Sequence, residues 1–246
     1  MNELWALGRR TVRRGWYDLR TLVAPYPILA LPAARLRHGV PVGTDTQIVI
    51  EGFPRTANTF AVVAFTMAQS EPVAVAAHVH APAQLIAAAE RGIPAIALIR
   101  EPEPTVLSFA IRHPEIGVRH GLSGYVRFYE ALVPYRDRFV VGRFSDVTSD
   151  FGSVIRRVNE RFGTGFGVFE HTDENVRRSF EEIDRGYAGR EDRGAAFESI
   201  VPRPSDERER VKETLRAEYR AQRSARMRAR AETVYRALAS DGLNER

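Results

Sequence analysis

The segment Gln47-Ile48-Val49-Ile50-Glu51-Gly52-Phe53-Pro54-Arg55-Thr56-Ala57-Asn58-Thr59-Phe60 decides how this chain is read. Its first five residues form a short, β-branched, largely apolar run, the pattern of a buried strand. Thr59 to Gln69 reads as the helix that follows, so the piece between them is a tight turn from strand to helix. Such a turn leaves the first backbone N–H groups of the helix unpaired and aimed into the bend, where the helix dipole also favours an anion. Gly52 allows close backbone approach, Arg55 supplies a cation, and Thr56 and Thr59 supply hydroxyls. Phosphate or sulfate is the natural guest.

The pattern repeats outward from this unit. Pro72 to Ala77, Pro94 to Ile99 and Arg138 to Val141 read as further strands, and Pro82 to Arg91, Pro104 to Ile111, Gly121 to Leu132 and Phe151 to Phe162 as helices. Short apolar strands alternating with helices predict an α/β fold, a doubly wound, mostly parallel sheet flanked by helices. In such sheets ligands bind beyond the carboxyl ends of the strands, so function belongs in the turns after Glu51, Ala77, Ile99 and Val141. Residues 1–44 read as an N-terminal helical extension, 45–204 as the α/β domain with a loop-rich stretch from Gly163 to Pro204, and 205–246 as a C-terminal helix. Ser205 to Leu238 reads as one long helix with Val211, Leu215, Tyr219, Met227, Val234 and Leu238 on or near one face.

At 246 residues the chain is long enough to bury a sizeable core. Its formal charge of +5, from 36 Lys+Arg against 31 Asp+Glu, describes a mixed surface rather than a polycation, so an anionic ligand is expected and nucleic acid is not. Lys212 is the only lysine, so an arginine at a position where chemistry elsewhere uses lysine follows the composition of the whole chain. With no cysteine there is no disulfide framework and no thiolate chemistry, which fits a cytoplasmic protein. Near the N-terminus, Leu4, Trp5, Leu7, Trp16, Leu19 and Leu22 are interleaved with Arg9, Arg10, Arg13 and Arg14. That pattern predicts a basic amphipathic helix, either packed on the domain or lying on an anionic membrane surface through residues 1–39. Pro25, Pro27 and Pro32 interrupt the apolar stretch that follows, which argues against a signal peptide or a membrane span.

The turn lacks the Gly-Lys-Ser/Thr ending that a nucleotide triphosphatase uses to ligate Mg²⁺. It resembles instead the 5′-phosphosulfate loop of the sulfotransferases that use 3′-phosphoadenosine 5′-phosphosulfate (PAPS), whose pattern is Pro-Lys-Ser-Gly-Thr-Thr-Trp or an Arg-containing variant. Pro54, Arg55, Thr59 and Phe60 fit it, whereas Ala57 and Asn58 stand where the family usually has Gly and Thr. Three further segments match in order. Ala77-His78-Val79-His80-Ala81-Pro82 is similar to the family's Lys-Thr-His-Leu-Pro segment. Ile99-Arg100-Glu101-Pro102, with Ser108 eight residues after Arg100, is similar to its 3′-phosphate segment. Gly142-Arg143-Phe144-Ser145-Asp146 is similar to its Arg-Tyr-Glu-Asp turn. Arg193-Gly194 is the candidate counterpart of the family's C-terminal Arg-Lys-Gly loop.

The resemblance implies sulfuryl transfer from PAPS to a hydroxyl or amine, with no metal. His80 would be the general base, with His78 the fallback because an extended segment would place both on one face. Arg55 would stabilise the leaving phosphate, assisted by Gly52, Pro54, Thr56, Ala57, Asn58 and Thr59. Arg100 and Ser108 would hold the 3′-phosphate, and Phe60 would pack near adenine, with Phe144 and the Arg193-Gly194 pair completing the donor site. The acceptor, a small molecule, carbohydrate or lipid, would be selected by Pro114 to Gly124 and Gly163 to Pro204. Two alternatives remain open: an ATP-dependent small-molecule kinase on the same sheet, and a nucleotide- or RNA-binding module without turnover.

Overall fold

A computed structural model describes residues 2–35, 39–188 and 206–240. The chain is a mixed α/β fold built on four parallel strands: β1 (Ile48–Gly52), β2 (Val75–Ala77), β3 (Ala95–Ile99) and β4 (Val140–Arg143), in the order β2-β1-β3-β4. β1 pairs with β2 from Ile48 opposite Val75 to Ile50 opposite Ala77, and with β3 from Val49 opposite Ala95 to Gly52 opposite Leu98. After β2 the chain crosses back over β1 to reach β3. This reversal of strand order opens a crevice at the carboxyl ends of the strands.

Alternation along the strands divides the core in two. Ile48, Ile50, Ile96, Leu98 and Val140 point to one face, where α3 (Asn58–Ala68) and α8 (Phe151–Phe162) cover them with Phe65, Phe151, Val154 and Ile155. Val49, Ala97, Ile99 and Val141 point to the other, beneath α4 (Pro82–Arg91), α5 (Pro102–Arg112) and α6 (Gly117–Glu130). Each large apolar side chain buried this way contributes about 1.5–3 kcal/mol. β1, buried at every position, contains one charged group, Glu51, at 0% exposure.

Several elements depart from the sequence expectation. The Pro-rich stretch after α1 (Asn2–Val23) contains a helix, α2 (Pro27–Ala34), because Pro27 occupies the first helical position, where its missing N–H costs nothing. Tyr17, Ala24 and Leu31 from this N-terminal region, and Tyr219, Val234 and Leu238 from near the C-terminus, join the same core cluster. Residues 144–149 form a short helix, α7 (Phe144–Ser149), directly after β4. Within the stretch read as loop-rich lies α9 (Asp173–Ala188), whose start is marked by the Thr172 hydroxyl accepting the Asn175 N–H at 3.2 Å.

The long C-terminal helix is two helices, α10 (Asp206–Arg220) and α11 (Ala225–Ala239), separated by a 3-10 turn at Gln222–Ser224. The Arg228 guanidinium accounts for the break, donating to the carbonyl oxygens of Tyr219 at 2.6 Å and Ala221 at 3.0 Å that a continuous helix would have consumed. No helix among the described residues is long and apolar enough to cross a membrane.

Candidate functional site

The turn between β1 and α3 is held in an unusual backbone shape. Arg55 (φ 78°) and Ala57 (φ 67°) are left-handed, while the intervening Thr56 is not. Alternation of this kind turns successive N–H groups toward one concavity, a nest for an anion. Left-handed backbone costs a non-glycine residue roughly 1–2 kcal/mol, and a set of internal bonds offsets that cost. Thr56 Oγ1 donates to the Phe53 carbonyl at 2.8 Å, and Asn58 Nδ2 donates to the Phe53 carbonyl and to Thr56 Oγ1, both at 3.0 Å. Tyr129 Oη accepts the Phe53 N–H at 3.3 Å and donates to the Leu98 carbonyl at 2.7 Å, tying the loop to β3.

Two sequence expectations change as a result. The Thr56 hydroxyl and both amide hydrogens of Asn58 are spent inside the loop, so these side chains brace it and only their backbone N–H groups face the nest. Ala57, the residue before α3, offers no side-chain cap. Among the described residues the N–H groups of Thr56, Ala57, Asn58 and Thr59 therefore meet no protein acceptor, as the first turn of an uncapped helix requires.

Gly52 shows why the strand ends in glycine. A Cβ there would lie 2.5 Å from the Leu98 carbonyl oxygen and 2.6 Å from Thr56 Oγ1. Gly52→Ala must push the loop off β3, and we expect it to lower stability by about 1–3 kcal/mol, read as a reduced urea midpoint with unchanged m-value.

The turn after β2 repeats the same device with an occupant already in place. His78 (φ 61°) and His80 (φ 53°) are left-handed and Val79 is not. The Val79 and His80 N–H groups converge on Glu51 Oε2 at 2.8 and 3.1 Å, while Glu51 Oε1 accepts the Gly52 N–H at 3.0 Å. A fully buried carboxylate is tolerated because three backbone donors satisfy it. Left-handed backbone at both histidines also removes the premise that they share one face of an extended segment. Their rings meet edge to face at 5.9 Å instead.

His80 is oriented by this arrangement. Its Nδ1 lies 3.1 Å from the Gly52 carbonyl and 3.4 Å from Glu51 Oε1, and both of those atoms are acceptors. In the neutral ring Nδ1 therefore carries the proton and Nε2 carries the lone pair. Burial pushes the imidazole down, but the hydrogen bond and charge of Glu51 and the Gly52 carbonyl outweigh it, so the net shift is upward from 6.5. For His78, burial and the neighbouring His80 prevail over Glu51 and the shift is downward.

Of the other residues singled out from the sequence, Arg55 and Ser108 meet directly, Arg55 Nε donating to Ser108 Oγ at 3.0 Å. Ser108 keeps its own O–H to donate elsewhere. Arg100 directly follows β3, with its carbonyl held by Tyr125 Oη at 2.7 Å and its guanidinium 3.8 Å from the centre of the Phe144 ring. Its Nε is buried and meets no hydrogen-bond partner among the described residues. Burial lowers its pKa, an effect Glu101 partly opposes. Phe60, expected to pack near adenine, has its ring centroid 5.7–6.1 Å from those of Phe169, His171 and Phe180. Pro54 lies beside His80, and Thr59 is half-buried at the start of α3. Arg193 and Gly194 lie outside the described residues.

Glu51, Tyr125 and Tyr129 are functional supports the sequence reading missed. For Glu51 a signal exists in the sequence, a charged residue inside an apolar strand. The narrow crevice beside His80 is lined by Tyr17, Arg20 and Thr21 of α1, by Gly124, the last residue of the first segment expected to select the acceptor, and by Phe128 of α6.

No family model matches the sequence, and no curated protein is a significant match to it. Among solved structures the chain is similar to mouse sulfotransferase SULT7A1 complexed with PAP, at 11% identity over 79% of this chain and 90% of that one, with a TM-score of 0.39.

Proposed function

We propose that this chain is a PAPS-dependent sulfotransferase acting on a hydroxyl or amine. The observation that carries the reading is the contrast between two adjoining nests. The one at 78–80 contains its own carboxylate, Glu51, whereas at 55–58 the N–H groups lie beside the Arg55 side chain and, among the described residues, meet no carboxylate. An anionic group fits there, and a sulfated phosphate is the anion the neighbouring chemistry suits.

The N–H groups of Thr56 to Thr59, the Thr59 hydroxyl and Arg55 would hold the 5′-phosphosulfate. Arg100, whose buried Nε lacks a partner among the described residues, and the Ser108 hydroxyl would hold the 3′-phosphate. When bound, PAPS supplies an electrophilic sulfuryl group attached to a phosphate that can depart. The chain's own task is positioning and charge compensation. His80 Nε2 accepts the proton of the acceptor hydroxyl, Glu51 and the Gly52 carbonyl fix the Nδ1 proton, and Arg55 compensates charge on the departing oxygen.

The reading is tested by thermal unfolding with adenosine 3′,5′-bisphosphate, with ATP and Mg²⁺, and with RNA. We expect the bisphosphate to stabilise the chain by about 2.7 kcal/mol at a hundredfold excess over its Kd, and Arg100→Ala to remove most of that shift. Stabilisation by ATP with Mg²⁺ and none by the bisphosphate would overturn the proposal in favour of a kinase, and stabilisation by RNA alone in favour of a binding module.

A further inference from the structure

Helix α1 packs on the protein through a largely polar face, and its apolar stripe lies on the other. On the inner side Tyr17, with Ala24 just past the helix end, enters the core, Asp18 accepts from Arg127 at 3.0 Å and pairs with His120 at 2.8 Å, and Arg14 Nε donates to the Glu115 carbonyl at 3.1 Å. On the opposite side Val12, Trp16, Leu19 and Leu22 recur at helical spacing and are 71%, 61%, 52% and 54% exposed. The apolar surface continues onto α2, where Ile28 and Leu29, with Tyr26 just before them, are also exposed. Scattered exposed apolar residues are ordinary; seven within eighteen residues, on two consecutive helices and the turn between them, are a surface suited to a partner.

We propose that this outward face of α1 and α2 docks on an anionic lipid membrane. Charge selects this occupant. Arg9, Arg10 and Arg13 are exposed on the same helix, and between Glu3 and Asp18 the chain has no carboxylate. Asp18 itself is turned inward onto His120 and Arg127. An apolar stripe with an indole, flanked by arginines and free of acids, matches the boundary between acyl chains and anionic headgroups. A second copy of this chain fits less well, because a two-fold interface would set the arginine cluster against itself. Neither helix is long and apolar enough to cross the bilayer, so the contact is one of lying on the surface. The docking surface stands independently of the sulfuryl-transfer reading.

The test is co-sedimentation of the full chain with vesicles of phosphatidylcholine alone and of phosphatidylcholine mixed with phosphatidylglycerol, at low and high salt. The expected result is binding to the anionic vesicles at low salt, with a blue shift of tryptophan fluorescence, and binding to the neutral vesicles at least about tenfold weaker. Two variants, W16S/L19S and R9Q/R10Q/R13Q, each weaken anionic-vesicle binding by about tenfold or more. Both retain the circular dichroism spectrum and Tm, because the altered side chains are exposed. Absence of binding, equal binding to both vesicle types, or binding indifferent to both variants overturns the proposal. So does a lipid-free dimer that W16S/L19S dissolves.

Discussion

His80→Asn lowers kcat by about 10²- to 10⁴-fold, the contribution of a positioned general base, while adenosine 3′,5′-bisphosphate still raises Tm. Asparagine is the informative substitution. At φ 53° alanine is strained by left-handed backbone, whereas asparagine tolerates it and leaves the turn over Glu51 in place. Loss of turnover together with loss of bisphosphate binding would assign His80 to the architecture of the site, and an unchanged rate would remove it from the reaction. The pH profile provides a second reading. Burial opposes the imidazolium, but the hydrogen bond and charge of Glu51, with help from the Gly52 carbonyl, raise its pKa above 6.5. Only the neutral ring can accept a proton, so kcat climbs with pH through a midpoint above that value. Stability runs the opposite way. The raised folded value means that the contribution of protonated His80 is fully present below the unfolded pKa and is lost as pH rises through the folded one.

The parts of this site legible in the sequence are those encoded locally. β1, its turn and α3 can be read because an apolar run, a glycine and a helical period follow one another in one short segment. The braces cannot be read that way. Tyr129 reaches Phe53 across 76 positions and Leu98 across 31, and nothing around Tyr129 distinguishes it from another core tyrosine. Left-handed backbone at His78 and His80 has the same character, because it follows from the carboxylate of Glu51 on a neighbouring strand. α9 escapes a pattern reading although Val176, Phe180 and Ile183 have helical spacing, since its charged residues dilute that signal. The break at Gln222–Ser224 escapes it for the converse reason: apolar residues recur on both sides, and the guanidinium that caps the break comes from Arg228, after it. Exposure of the apolar stripe of α1 is invisible to pattern alone, since such a stripe ordinarily packs inward, whereas here Tyr17, Asp18 and Arg14 make the inward contacts.

Glu51→Gln leaves the side chain's shape intact and removes its charge, and its effect follows from counting donors. The single carboxamide oxygen can still accept from Val79 and His80, but the amide nitrogen then faces the Gly52 N–H and His80 Nδ1, a donor where an acceptor stood. A buried N–H left without a partner costs about 1–3 kcal/mol, a loss readable in the urea midpoint. The larger consequence is for the ring. The introduced amide offers a hydrogen to Nδ1, which favours the tautomer with its proton on Nε2 and so occupies the lone pair that must accept the acceptor's proton. In a Ser-His-Asp triad the equivalent loss of tautomer control costs about 10⁴ in kcat. Here the Gly52 carbonyl still holds the original orientation in part, so a fall of about 10²- to 10⁴-fold is expected. Burial, no longer opposed by the carboxylate, also carries the His80 pKa downward, and the acid limb of the pH–rate profile moves to lower pH. That displacement separates positioning from bulk stability. A variant that lost activity only because it was less stable would keep the midpoint of the parent, and ¹⁵N shifts of the His80 ring would report the unaltered tautomer.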